Sequence, residues 1–288
     1  MRSKPRMGDI GTIGGHTLPF AVLGHPIGHT LSPVMHNANF RSLGMDALYL
    51  AFDVEPARLM PVLSAMADLG FKGVNLTVPL KETAFRGMWL LDESARRLGA
   101  VNTVEFSPEG LKGHNTDGKG FLLAIREAFR TDLSGLSVFV LGSGGAGRAV
   151  AITCAVEGAA RVAVADMDGS RAGRVAKEIR ALAPRVRIEP LSPTDDAWAE
   201  ACRDADLVIH ATPVGMKRGE SSLLPAAAFR KGQMAFDLVY IYPETPFMKA
   251  AARGGARTAN GLGMLLHQGA SSFTIWTGRK AAVKTMRS

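Results

Sequence analysis

The sequence predicts an α/β fold in two parts, the second of them a doubly wound parallel sheet. Three observations carry that prediction. Short apolar runs alternate with stretches of helical pattern along most of the 288 residues. One of those runs ends in a glycine hexad, Gly142-Ser143-Gly144-Gly145-Ala146-Gly147, that opens a helix. The composition, 47% hydrophobic with only 21% charged residues, supplies sizeable cores and excludes a disordered chain, and the length fits two ordinary domains.

The elements follow in order. Phe20–Gly24 is the first strand, and a Pro/Gly loop leads from it to Ser32 and Pro33, where Ser32 is placed to cap a helix and Pro33 to take its first position. A strand at Ala47–Val54, a helix at Pro56–Leu69 and a strand at Gly73–Val78 come next. Val101–Phe106 and Leu111–His114 form a hairpin around the turn Ser107–Gly110. An amphipathic helix is expected at Gly118–Phe129, and the strand Ser137–Leu141 then runs into the hexad. The helix beyond it is expected from about Arg148 to Glu157, with strands at Arg161–Ala165, Val186–Pro190, Asp206–Ala211 and Met234–Val239.

Each hexad glycine has a physical task. Gly142 permits the tight turn, Gly144 lets backbone N–H groups approach a pyrophosphate, and Gly147 lets helix and strand pack closely. Ser143, Gly145 and Ala146 complete the cradle. Asp166, 24 residues beyond Gly142 at the end of the next strand, has the place of the acid that accepts ribose hydroxyls. No Gly-Lys-Ser/Thr closes the hexad, so it is not a nucleotidase phosphate loop. The second part is therefore expected to be a Rossmann-like dinucleotide-binding domain.

The formal charge of +8 raises nucleic-acid binding as a function. Seven of the eight excess charges sit in the tails, on Arg2, Lys4 and Arg6 and on Arg279, Lys280, Lys284 and Arg287, and the body lacks a basic stripe with interleaved aromatics. Nucleic acid is therefore not an expected partner, and no apolar run suggests a membrane span. Two cysteines, Cys154 and Cys202, are too few for a disulfide scaffold, which points to a reducing, cytoplasmic home. His25, His29 and His36 are spaced across a Pro/Gly loop that does not hold one ligand geometry, so no metal is expected.

The chemistry must come from the first part. Small polar and charged groups cluster in Gly24-His-Pro-Ile-Gly-His-Thr-Leu-Ser-Pro-Val-Met-His36, in Gly73-Val-Asn-Leu-Thr-Val-Pro-Leu-Lys81, and in Asn102-Thr103 with Asn115-Thr116-Asp117. Together these segments resemble shikimate dehydrogenase and its quinate/shikimate relatives. The resemblance continues through His210-Ala-Thr-Pro-Val-Gly-Met216, Asp237-Leu-Val-Tyr240 and Gly263-Met264…Gln268-Gly269, and so covers about residues 20–278. It implies a substrate domain at 1–117 completed by a C-terminal helix at 263–288, with the NAD(P)-binding domain at 118–262 inserted between them.

Oxidation of a secondary alcohol needs a nicotinamide to accept hydride and a protein group to take the hydroxyl proton. The resemblance assigns the proton to Lys81 and makes Asp117 its carboxylate partner. By the same carry-over Thr30, Ser32 and Tyr240 bind a substrate carboxylate, Asn75, Thr77, Asn102 and Gln268 serve ring hydroxyls, and Thr212 and Gly263 join the hexad at the cofactor. Read singly, Ser32 is also a helix cap, the asparagines turn residues and Tyr240 a core ring. Three residues depart from the family's usual pattern: Thr30 for Ser, His210 for Asn and Pro213 for Ser. The expected activity interconverts 3-dehydroshikimate and shikimate, or the quinate pair, in a monomer or homodimer. The alternative is a regulatory protein of the same fold that binds a dinucleotide without catalysis. Val164-Ala-Asp166-Met-Asp168 lacks the Asn-Arg-Thr/Ser segment common in NADP-using members, which favours NAD, with NADP as the alternative.

Overall fold

The computed structural model describes residues 13–191 and 193–287. They fall into two compact units, one within Met1–Thr116 and Gln268–Ser288, the other Asp117–His267. The basic residues Arg2, Lys4 and Arg6 lie outside the described residues.

The first unit is built from β1 (Leu18–Gly24), α1 (Ser32–Ser42), β2 (Ala47–Asp53), α2 (Leu59–Asp68), β3 (Gly73–Leu76), α3 (Leu80–Gly87), β4 (Leu90–Leu91), α4 (Glu93–Leu98), β5 (Thr103–Ser107) and β6 (Gly110–His114). Among the described residues its sheet has the order β2-β1-β3-β5-β6-β4. β1 pairs in parallel with β2 and β3, whereas β5 runs antiparallel to both β3 and β6. The alternation along β1 sends Ala21 and Leu23 to one face, where they join Leu59 and Leu63 of α2 and Leu80 of α3. Phe20 turns to the other face and meets Phe40 of α1 and Trp276, at 5.0 and 5.4 Å between ring centroids. Trp276 lies so close to β3 that a Cβ at Gly73 would enter its indole ring, and its Nε1 donates to the Val104 carbonyl at 2.9 Å.

The second unit follows with α5 (Asp117–Phe129), β7 (Ser137–Leu141), α6 (Gly145–Val156), β8 (Arg161–Ala165), α7 (Gly169–Leu182), β9 (Arg187–Pro190), α8 (Asp195–Asp204), β10 (Leu207–His210), β11 (Met234–Asp237), α9 (Pro246–Arg253) and β12 (Arg257–Asn260). All pairs in its sheet, ordered β12-β11-β10-β7-β8-β9, are parallel. The strand order reverses between β7 and β10, and in such sheets ligands bind outside the carboxyl ends of the strands at that reversal. One face buries Phe139, Leu141, Ala163 and Val208 against Trp198 of α8 and Phe247 of α9. On the other, Phe236 meets Phe121 of α5 edge-on.

The structure corrects four local expectations. Ser32 does not cap α1: the helix begins at Ser32 with Leu31 in the cap position, and the Ser32 N–H donates to Thr30 Oγ1 at 3.3 Å. α6 begins at Gly145, three residues before the expected start, because the chain is already helical after Gly144. β12 was not anticipated; its sequence Arg-Thr-Ala-Asn is too short and polar to signal a strand, and it forms by pairing with β11. The expected C-terminal helix is two helices, α10 (Leu262–Thr277) and α11 (Val283–Arg287), separated at Gly278, which has φ +64°.

Candidate functional site

In the first unit the polar residues singled out by sequence divide into two groups. Asn75, Asn102 and Gln268 belong to a buried hydrogen-bond network. Asn75 Oδ1 accepts from the Tyr49 hydroxyl at 2.7 Å, and its Nδ2 donates to the Asn102 carbonyl, Thr103 Oγ1 and Ser272 Oγ at 2.9–3.2 Å. Asn102 Nδ2 donates to Thr116 Oγ1 at 2.9 Å and reaches Gln268 Oε1 at 3.4 Å, while Asn102 Oδ1 accepts the Thr116 N–H at 2.8 Å. Ser272 closes the network by donating to the Gln268 carbonyl at 3.0 Å. Both Asn75 amide hydrogens are thereby committed inside the domain.

Thr30, Ser32 and Thr77 behave differently. Thr30 Oγ1 accepts the Ser32 N–H, which leaves its own proton uncommitted, and the hydroxyls of Ser32 and Thr77 make no hydrogen bond among the described residues. Tyr240 in the second unit has a similarly uncommitted hydroxyl, and burial raises its pKa. Hydroxyls at the start of α1 and in the loops beside α1, β3 and β11, without an internal partner among the described residues, are suited to a polar ligand.

Lys81 is half-buried in the first turn of α3, and its backbone carbonyl accepts from Val101 N, which ties the helix start to the segment that carries Asn102. Asp117 is buried at the first position of α5. The three N-terminal histidines do not act together. His25 Nδ1 pairs with Asp53 Oδ1 at 2.5 Å, a carboxylate 28 residues away in sequence, and this bond raises its pKa. His36 stacks on Tyr49 at 4.3 Å with neither ring nitrogen hydrogen-bonded, and burial pushes its pKa down to about 3. Both cysteines are buried, which raises their thiol pKa values, that of Cys202 to about 12.

In the second unit the glycine turn has the geometry that a pyrophosphate cradle requires. Gly142 has φ +109°, and a Cβ there would come within 2.7 Å of the Ala211 carbonyl group. A Cβ on Gly147 would fall on the Gly142 carbonyl oxygen, whereas Gly144 and Gly145 face open space. α6 opens at this point without a side-chain cap or an acidic residue in its first turn, so its N-terminal N–H groups are suited to an anion. Asp166 Oδ2 accepts the Ser143 N–H at 2.7 Å and Oδ1 accepts the Asp168 N–H at 3.0 Å. Asp166 thereby holds its carboxylate beside the turn. Gly263 packs against Ala124 of α5.

Comparison with known proteins agrees with both halves. Residues 22–104 match the shikimate dehydrogenase substrate binding domain, residues 261–288 the shikimate 5'-dehydrogenase C-terminal domain, and residues 138–253 the saccharopine dehydrogenase NADP binding domain. The chain is 42% identical over 278 residues to a shikimate dehydrogenase (NADP(+)) of Methanopyrus kandleri, covering 96% of each. The chain belongs to the shikimate dehydrogenase family. Two solved shikimate dehydrogenases share its fold: one in complex with NADP+, at 33% identity, TM-score 0.89 and 97% coverage of each chain, and one from Listeria monocytogenes in complex with shikimate and NAD, at 33%, 0.88 and 96%. Members of this family are oxidoreductases, and the unit with the glycine turn is a nicotinamide-dinucleotide-binding domain. No described helix is long and apolar enough to cross a membrane. Sequence reasoning missed Tyr49 and Ser272. Ser272 lies one helical turn beyond Gln268 on the same face of α10, a spacing that could have marked it; nothing local distinguishes Tyr49.

Proposed function

We propose that the protein interconverts 3-dehydroshikimate and shikimate and prefers NAD to NADP. The observation that carries the substrate half is the sorting of polar groups: the amides form a fixed interior, and the hydroxyls of Thr30, Ser32, Thr77 and Tyr240 are left to a ligand that itself carries a carboxylate and hydroxyls. Thr30, Ser32 and Tyr240 take the carboxylate and Thr77 a ring hydroxyl. Gln268 adds an amide contact, and Asn102, which donates to Gln268 Oε1, holds the interior together with Asn75. The bound nicotinamide supplies the hydride acceptor. Lys81 Nζ takes the hydroxyl proton as shikimate is oxidised and returns it in the reverse direction. Asp117 is the proposed counter-charge that orients the Lys81 ammonium.

The NAD preference rests on Asp166. Its carboxylate is held at the strand end, where it accepts ribose hydroxyls and repels a 2′-phosphate. The first cations that follow Asp166 on α7 are paired locally: Arg171 with Asp168 at 3.4 Å and Arg174 with the Ser170 hydroxyl at 3.0 Å. A grid of shikimate and quinate against NAD and NADP tests both halves. The highest kcat/KM is expected for shikimate with NAD, and Asp166→Ala is expected to shrink the margin over NADP. Equal or better use of NADP by the wild type would refute the preference, and no turnover with shikimate would refute the activity.

A further inference from the structure

The strand ends beside the glycine turn carry an arrangement that neither the turn nor Asp166 accounts for. His210 closes β10 and Asp237 closes the neighbouring β11, and both are buried, at 2% and 0% exposure. His210 Nδ1 lies 2.9 Å from Asp237 Oδ1, and its Nε2 lies 2.6 Å from Thr212 Oγ1. The carboxylate is fixed in turn by the Thr245 hydroxyl, which donates to Oδ2 at 2.5 Å, and by the Val239 N–H, which donates to Oδ1 at 3.0 Å. The imidazole stacks on Phe247 at 5.1 Å.

The polarity of this chain follows from its inner end. A carboxylate only accepts, so Nδ1 carries the hydrogen, and an Nε2 that carries none accepts. Against such an Nε2 the Thr212 hydroxyl donates inward. Its oxygen accepts the Val214 N–H at 3.2 Å, which leaves one lone pair for an outside group and no hydrogen to offer. Thr212 is half-exposed and borders the glycine turn: a Cβ on Gly142 would come within 3.0 Å of its methyl group. A hydroxyl held this way accepts from a ligand donor and gives nothing to a phosphate.

We infer that His210 and Asp237 are positioning residues that fix Thr212 as a hydrogen-bond acceptor for a donor group of the bound dinucleotide, a ribose hydroxyl or the carboxamide NH2. The inference rests on the dinucleotide-binding reading of this domain. The test is titration of the full chain with NADH, followed by nicotinamide fluorescence. Thr212→Val keeps the shape and removes the acceptor, and is expected to weaken NADH binding roughly two- to tenfold. KM for shikimate should not change, and Thr212→Ser should restore affinity. Inhibition by inorganic pyrophosphate should be unchanged in Thr212→Val, and a loss there would overturn the assigned polarity. His210→Phe keeps a ring on Phe247 but removes Nε2. It should weaken NADH binding similarly, and the double variant should be no worse than Thr212→Val alone, since without the hydroxyl there is nothing left to orient. Additive losses would reduce His210 to a fold-supporting residue and overturn the inference. The 3-acetylpyridine analogue of NADH lacks the carboxamide NH2 and separates the two donors. Thr212→Val should cost nothing with the analogue if the carboxamide is the donor, and the usual amount if a ribose hydroxyl is. Unchanged NADH affinity in Thr212→Val overturns the inference alone; a wild-type chain that binds no NADH overturns the dinucleotide reading with it.

Discussion

The two units handle polar chemistry in opposite ways. In the first, the work falls to side chains: Tyr49, Asn75, Asn102, Thr103, Thr116, Gln268 and Ser272 form a buried network around which hydroxyls are left for a ligand. In the second, the backbone turn at Gly142–Gly147 has the geometry of a cradle, with Asp166 bonded to it and the His210–Asp237 pair on neighbouring strand ends. The difference suits the two ligands. A pyrophosphate is recognised through N–H groups that any residue supplies once the chain approaches closely enough, so the requirement is for glycine and helix geometry. A polyhydroxylated acid needs donors and acceptors at set positions, which side chains supply only if a surrounding network locks them.

The largest effect that separates the units is expected at Lys81. Lys81→Ala should lower kcat by about 10²–10⁴-fold and leave NADH affinity intact; near-normal turnover in a folded variant would remove Lys81 from the chemistry. Gly147→Val should do the converse. Its new side chain collides with the Gly142 carbonyl, which should destabilise the fold by about 1–3 kcal/mol in urea denaturation and weaken NADH binding. Wild-type NADH affinity in that variant would show that the turn does not form the cradle. Asn75→Leu leaves the buried Tyr49 hydroxyl without its partner and takes one bond each from Thr103 and Ser272, at about 1–3 kcal/mol of stability, and should raise KM for shikimate while sparing the dinucleotide. A KM change for the dinucleotide alone would break the comparison.

The expected effect that is absent at neutral pH and grows only in acid belongs to His36. Its folded pKa is pushed down to about 3 by burial, below the ordinary 6.5. The unfolded chain therefore binds a proton that the folded chain does not. The stability from this residue is complete above pH 6.5 and falls as pH drops toward 3, by up to about 1.4 kcal/mol per pH unit. His36→Leu should flatten the acid limb of stability against pH, whatever it does to the plateau. An unchanged slope would mean that His36 is not the group titrating there.

Much of this molecule is local enough to read from the chain. The glycine spacing fixes the turn, since only residues without a Cβ fit where Gly142 meets Ala211 and Gly147 meets Gly142. The parallel second sheet is legible because apolar strands alternate with helices. The family motifs name Lys81, Asp117 and the hydroxyl and amide residues, and assign the hydroxyls and amides alike to a ligand. The division between them is tertiary. Asn75 is committed inward because Tyr49 and Ser272, 26 residues before it and 197 after, converge on its amide. Thr212 is an acceptor because a histidine and an aspartate from adjacent parallel strands meet at 2.9 Å. Sequence determines which groups are present and where the chain turns; a hydrogen bond's direction depends on what lies across space from each group, and only the packed fold decides that.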